Sequence, residues 1–265
     1  MKVLLTNGAR PRRKPLLLGD NGFVVAGLAG VIVCIWVYLV RTSFDMYGRM
    51  DGPAAWMMEA RWDARYILLI FAMWATMMVG MMLPSALPTI LLFRRAIHRD
   101  RQVRSPVART FTFVLGYVVA WMVFSIAATL LQWGLARAAL LSAMMVSASS
   151  WLGGAILITA GAYQWTPLKN MCITHCRSPL AFLMQYWSPG VPGALRLGLR
   201  HGLYCVGCCW GLMLLLFFGG VMSLLWIAAI TAFVLVEKLA PYGVQGGRLS
   251  GIALIIAGLW VLGTA

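Results

Sequence analysis

The chain has 265 residues, of which 62% are hydrophobic and only 11% charged, and its 22 Lys and Arg against 7 Asp and Glu give a formal net charge of +15. A soluble globular domain carries roughly a quarter of its residues as charges, so these proportions and a mean hydropathy of +0.84 exclude one. The solvent is lipid. The basic residues lie in short blocks between long apolar runs, where the positive-inside rule makes them topology signals, and no nucleic-acid partner is expected.

In chain order, residues 1–21 form a basic tail with Lys2, Arg10, Arg12, Arg13 and Lys14, interrupted by Pro11 and Pro15. Residues 23–40 are a first apolar run, too long for the apolar core of a signal peptide and without a small-residue cleavage site, and so an uncleaved span. Residues 41–65 read as a mixed-charge loop holding Asp45, Asp51, Glu59 and Asp63. A second span covers 66–93 and contains Pro84 and Pro88, which kink a helix. Ser85 and Thr89 beside them are suited to satisfying the carbonyls that the prolines free.

Residues 94–109 are the most basic loop, and His98 within it reads as solvated. Spans follow at 111–135 and 150–165. The connection 166–200 carries Lys169, Arg177, Arg196 and Arg200, with Pro167, Pro179, Pro189 and Pro192 to prevent a continuous helix. A fifth span runs over 202–221, a sixth ends near Glu237, and 249–263 is a short seventh. The expected fold is therefore an all-α polytopic membrane protein: a bundle of about seven transmembrane helices with the N-terminus cytoplasmic, residues 22–265 being one membrane domain. A multi-pass membrane location is expected. Gly153, Gly154, Gly219 and Gly220 are small enough to support close helix contacts.

The chemistry is concentrated in HGLYCVGCCWGLM, residues 201–213, which holds three of the six cysteines. On a helix, 100° per residue places His201, Cys205 and Cys208 within a sector of about 60°, with Cys209 beside it. Upstream, Cys172, His175 and Cys176 lie in NMCITHCRSP, and an i, i+4 spacing again suits one helical turn. Five cysteines and two histidines fall within the 38 residues from Cys172 to Cys209. Such a density of reactive thiols in and beside membrane spans points to metal binding or redox work. The charge pattern places this set on the cytoplasmic side, where thiols stay reduced. His201 reads equally as a ligand or as an interfacial cap of its span, and His175 as a solvated loop residue or a ligand. Cys34, alone in the first span, reads as a small apolar core residue.

Methionine is the second unusual feature. Met73, Met77 and Met81 recur every four residues in the second span, and Met78 and Met82 form a stripe beside them. Thioethers are soft, uncharged ligands that favour Cu(I), although Met at helical spacing also fills cores. Met46, Met50, Met57, Met58, Met144, Met145 and Met222 fall where the topology places the outer surface, so a graded path from thioethers to thiolates is conceivable. Two- or three-coordinate sulfur would suit Cu(I), and a closed site of four would suit structural Zn(II). Glu237 and Lys238 are adjacent, do not face each other on a helix, and read as an interface anchor. No Ser, His and acid arrangement, phosphate loop or paired carboxylate is visible, so no catalytic residues are expected.

MMVGMMLPSALPTILLF, then GAYQWTPLKNMCITHCRSPLAFL, then HGLYCVGCCWGLMLLLFFGGVMSLLW, and an EK before the last span occur in that order. Over residues 66–265 the chain thereby resembles a bacterial family of predicted metal-binding integral membrane proteins, formerly a domain of unknown function, linked to copper delivery to tyrosinase-type copper oxidases. The resemblance implies that Cys172, His175, Cys176, His201, Cys205, Cys208 and Cys209 occupy the family's metal-binding positions, and that a copper enzyme or copper-binding protein is a client. The expected function is non-enzymatic handling of Cu(I), as a chaperone or transporter working by ligand exchange. A membrane thiol-disulfide oxidoreductase using the Cys pairs and a structural zinc clip are the alternatives.

Overall fold

The computed structural model describes residues 20–47, 62–98, 105–142 and 145–264. Within them the regular structure is helical, apart from an isolated bridge between Leu141 and Ser147. The helices are α1 (Asp20–Tyr47), α2 (Ala64–His98), α3 (Pro106–Arg137), α4 (Ser150–Tyr163), α5 (Pro167–Arg177), α6 (Pro179–Tyr186), α7 (Gly190–Met213), α8 (Leu215–Gly219), α9 (Leu224–Leu239) and α10 (Gly243–Gly263). The expected tail, residues 1–21, lies outside the described residues except for its last two.

Among the described residues, five segments are long and apolar enough to cross a membrane: Gly22–Asp45, Ala64–His98, Pro106–Arg137, Gly190–Gly219 and Gly243–Gly263. The expected seven spans are thus corrected to five. The expected fourth span, α4, has 14 residues and the sixth, α9, has 16. At 1.5 Å per residue they rise roughly 21 and 24 Å, short of a hydrocarbon core of about 30 Å. Hydropathy alone counts their flanking turn residues as span. The turn before α4 begins after Ser147, whose N–H is bonded to the carbonyl of Phe217.

The connection over 166–200 differs from expectation in a second way. Its prolines do stop a continuous helix, but Pro167, Pro179 and Pro192 each lie in the first turn of a new one, where the missing N–H would have had no partner, and Pro189 is the N-cap of the last. Pro167 opens α5, whose N-cap Thr166 accepts a bond from the Lys169 backbone at 3.3 Å, and Pro179 opens α6. Pro192 sits in the first turn of α7, which begins twelve residues before the expected span.

In α2, Pro84 cannot donate to the carbonyl of Gly80. That carbonyl instead accepts the Trp36 indole N–H from α1 at 3.2 Å, which ties the two helices together at the break. Ser85 Oγ donates to Met82 O at 2.8 Å, which is not one of the carbonyls freed by Pro84 and Pro88, so the expected role of Ser85 is corrected.

Close backbone approaches set the packing. Gly198 of α7 lies against the Phe113 carbonyl of α3, and a Cβ there would overlap it. Gly161 of α4 and Gly251 of α10 meet in the same manner, a Cβ at Gly161 standing 2.6 Å from Gly251 O. Small residues at helix crossings are what lipid-embedded packing uses in place of a hydrophobic driving force. Of the glycines singled out from the sequence, Gly154 faces Leu262 and Gly219 faces Trp226, contacts within one chain. Cys34 is exposed on α1, which corrects its reading as a core residue.

Candidate metal centre

The helix carrying HGLYCVGCCWGLM begins at Gly190, so Cys205 lies 15 residues into a span of 30 that ends at Gly219. At 1.5 Å per residue this is roughly 22 Å from one end and 21 Å from the other. The thiols thus sit near the midpoint of this candidate span's length. His201, Cys205, Cys208 and Cys209 are all buried, which agrees with the shared face read from their spacing.

Helix α5 packs against this face. Cys172 and Cys176 are one turn apart on it, as their i, i+4 spacing predicts. Cys176 Sγ lies 3.9 Å from Cys208 Sγ, and Cys208 Sγ lies 3.2 Å from Cys209 Sγ. Cys208 Sγ also donates to the Cys205 carbonyl at 3.2 Å, one turn back on the same helix. Cys172 reaches α7 at Gly207, where a Cβ would stand 2.7 Å from its sulfur. The absence of a side chain at 207 is what lets α5 approach. Burial pushes the Cys172 thiol above its ordinary pKa, so it remains protonated at neutral pH and is the least ready nucleophile or ligand on α5. Cys176, half-buried, is the cluster thiol nearest the surface.

Cys205 belongs to a second set of contacts. Lys238 Nζ of α9 donates to Cys205 Sγ at 2.9 Å and to Ser85 Oγ at 3.1 Å. Tyr117 of α3 donates to Met82 O at 2.9 Å, and its oxygen stands 3.1 Å from Cys205 Sγ. With Ser85 donating to the same carbonyl, Met82 O, Ser85, Lys238, Cys205 and Tyr117 close a ring of polar contacts among α2, α3, α7 and α9. The methionine helix is therefore linked to Cys205 through the Met82 backbone carbonyl and the Tyr117 hydroxyl. All of Met73, Met77, Met78, Met81 and Met82 are buried.

A buried ion pair lies next to this ring. Lys169 Nζ is 2.6 Å from Glu237 Oε1 and 2.9 Å from Oε2, and it also donates to Gln164 Oε1. Arg177 Nη1 donates to the Glu237 carbonyl at 2.6 Å. Glu237 and Lys238 do face different ways, as adjacent helical residues must. Their reading as an interface anchor is corrected, since both are buried and each is committed to a different partner.

The histidines are less close to sulfur. His201 is surrounded by the rings of Phe182, Tyr117 and Phe113 at 5.2, 5.7 and 6.1 Å, and its Nδ1 has no hydrogen-bond partner. Its place in the body of α7 excludes the interfacial-cap reading. His175 is half-buried, stacks on Tyr204 at 4.2 Å and holds the Met171 carbonyl through Nδ1 at 2.9 Å. Met145 and Met222 are buried, not surface residues; the side chains of Met46, Met50, Met57, Met58 and Met144 lie outside the described residues.

Among the described residues, no three of His, Cys, Asp and Glu converge in a ready-made metal cage. The thiols instead form a hydrogen-bonded chain. With metal–sulfur bonds of about 2.3 Å, sulfurs around one ion stand about 3.8 Å apart in a tetrahedron and about 4.0 Å apart in a triangle. The Cys176 to Cys208 spacing already fits, whereas Cys208 and Cys209 would need to separate.

A family model described as PpoB2: Copper chaperone matches residues 71–261. The chain belongs to the PpoB2 copper chaperone family. The match spans α2 through α10 and so includes both thiol-bearing helices, the methionine stripes and Lys238. None of the curated proteins and no solved structure matches the chain. Membership makes copper the cargo and a copper protein the client, and PpoB2 copper chaperones are ordinarily not enzymes. Lys238, Tyr117, Lys169 and Tyr163 were missed as parts of the centre by sequence reasoning. Tyr163 closes it from α4 by donating to the Gly207 carbonyl. The signal available for Lys238 was its place at the end of an apolar helix, since ionisable residues in the apolar parts of a membrane protein are functional by default.

Proposed function

We propose that the chain holds copper as Cu(I) on the thiolates of Cys205 and Cys208, with Cys176 as the ligand that exchanges with a partner and Cys209 and Cys172 as neighbours able to take its place. The observation that carries this is a run of sulfurs from the half-buried Cys176 through Cys208 to the buried Cys209, with Cys205 alongside. Soft, low-coordinate sulfur suits Cu(I) better than harder ions. Binding is ligand exchange without redox change: Cu(I) joins two thiolates, and one proton leaves for each thiol that ionises. Hand-over reverses this as a client's sulfur or imidazole replaces Cys176 and then the deeper thiolates.

Met73, Met77, Met78, Met81 and Met82 serve in this reading as thioether stations leading to Cys205. In support, this helix comes within one side chain of Cys205, the Tyr117 hydroxyl lying between the Met82 backbone carbonyl and the Cys205 sulfur. His175 stands beside the exchange ligand and His201 behind Tyr117. The chain is one membrane domain over 22–265 in a bacterial inner membrane, its N-terminus and basic tail cytoplasmic, and its client is a tyrosinase-type copper oxidase.

The test is metal analysis by mass spectrometry of full-length protein purified in detergent from copper-replete cells, beside a Cys205→Ser, Cys208→Ser, Cys209→Ser variant. Copper near stoichiometry in the wild type and its loss in the variant is the expected result. Equimolar zinc would replace this reading with a structural clip. Metal-free protein with oxidised cysteines would replace it with a thiol oxidoreductase.

A further inference from the structure

We infer that Lys238 is the fixed counter-charge of the copper site, neutralising the negative charge that two thiolates leave on Cu(I) and so setting how many thiolates the site accepts. The inference rests on the copper reading above and goes beyond it by naming the residue that decides coordination and metal choice.

Lys238 is buried, and both atoms that its ammonium touches, Cys205 Sγ and Ser85 Oγ, are uncharged while the site is fully protonated. The carboxylate next to it in sequence, Glu237, is already held by Lys169 at 2.6 Å. Among the described residues no other carboxylate reaches Lys238. The groups within its electrostatic reach are the sulfurs of Cys205, Cys208, Cys209 and Cys176, the Tyr117 phenol, the His201 ring, and Glu237, whose charge Lys169 already balances. A buried ammonium with no anion is costly, and it is relieved when a neighbour becomes negative. Here only sulfur can do so readily.

The charges then select the complex. Cu(I) with two thiolates carries −1, and with Lys238 the site sums to zero. A third thiolate on Cu(I), or four thiolates on Zn(II), leaves a net negative charge near the middle of a membrane span, where uncompensated charge is expensive. Lys238 therefore favours two thiolates on Cu(I), with any third ligand a neutral thiol or thioether, and disfavours the closed four-thiolate zinc site.

The test titrates full-length protein in lipid nanodiscs with Cu(I) against a chromophoric Cu(I) chelator of known affinity, for wild type, Lys238→Gln and Lys238→Arg, with thermal unfolding of each metal-free protein. Lys238→Gln keeps a hydrogen-bond donor and removes the charge. It is expected to weaken copper binding roughly 100-fold, the scale of stranding one member of a buried charged pair. Lys238→Arg is expected to stay within about tenfold of wild type, one decade of affinity at most. A Gln variant that binds copper like wild type overturns the inference alone. If that variant does not fold, Arg decides, and a loss with Arg as large as that expected for Gln overturns it. A wild type that binds no copper overturns the copper reading itself, and the inference with it.

Discussion

Two buried lysines, Lys169 and Lys238, meet at adjacent residues of α9 and are used in opposite ways. Lys169 from α5 has its carboxylate, Glu237, at 2.6 Å, and its remaining donor capacity goes to Gln164. Lys238 has a thiol and a hydroxyl. The first charge is closed within the protein and fastens α5, with Cys172 and Cys176, to α9. The second is left open toward sulfur. Neighbouring positions of one helix thus separate a structural role from a cargo-related one, and the difference lies in whether an anion is already present.

Breaking the closed pair should have the largest effect on the fold. Glu237→Gln strands the Lys169 ammonium in a site where both side chains are 2–3% exposed, and a loss of ~3–5 kcal/mol is expected. Thermal unfolding in detergent measures it. Replacing both partners, with Lys169→Met and Glu237→Leu, should restore most of that stability and leave copper binding close to wild type, because a well-packed apolar pair substitutes for a closed one. No such apolar rescue is expected at Lys238. If the double variant lost copper as completely as the cysteine variant, the division between the two lysines would be wrong.

The smallest structural effect is expected along the methionine stripe. Met77→Leu with Met81→Leu conserves volume and should cost under about 1.5 kcal/mol. It removes two soft ligands, so copper loading of the intact protein should slow while the final copper content stays the same. Stopped-flow loading with a Cu(I)–chelator complex distinguishes this from simple packing, which predicts unchanged rates.

What could be read from the sequence was local. The shared face of His201, Cys205, Cys208 and Cys209 and the pairing of Cys172 with Cys176 follow from helical periodicity within a few residues. The partners of Lys238 and Lys169 did not emerge, because they lie 33 and 68 residues away in sequence. Periodicity says which way a side chain points, not what stands opposite. The number of spans failed for a related reason: α4 and α9 are as apolar as true spans, and only their turns reveal that they are too short. The start of α7 at Gly190 was missed because hydropathy reads its prolines as loop. Family membership itself was legible, since long motifs in fixed order survive errors in the count of helices.

The central claim is that copper is held by a small number of sulfurs centred on Cys205 and Cys208. Copper K-edge X-ray absorption on the full-length copper-loaded protein tests it most directly. The expected spectrum is that of Cu(I) with two or three sulfur neighbours at about 2.3 Å, the ordinary metal–thiolate distance, and its loss in Cys205→Ser, Cys208→Ser protein. A Cu(II) edge, or a first shell of nitrogen and oxygen that survives those substitutions, would contradict it.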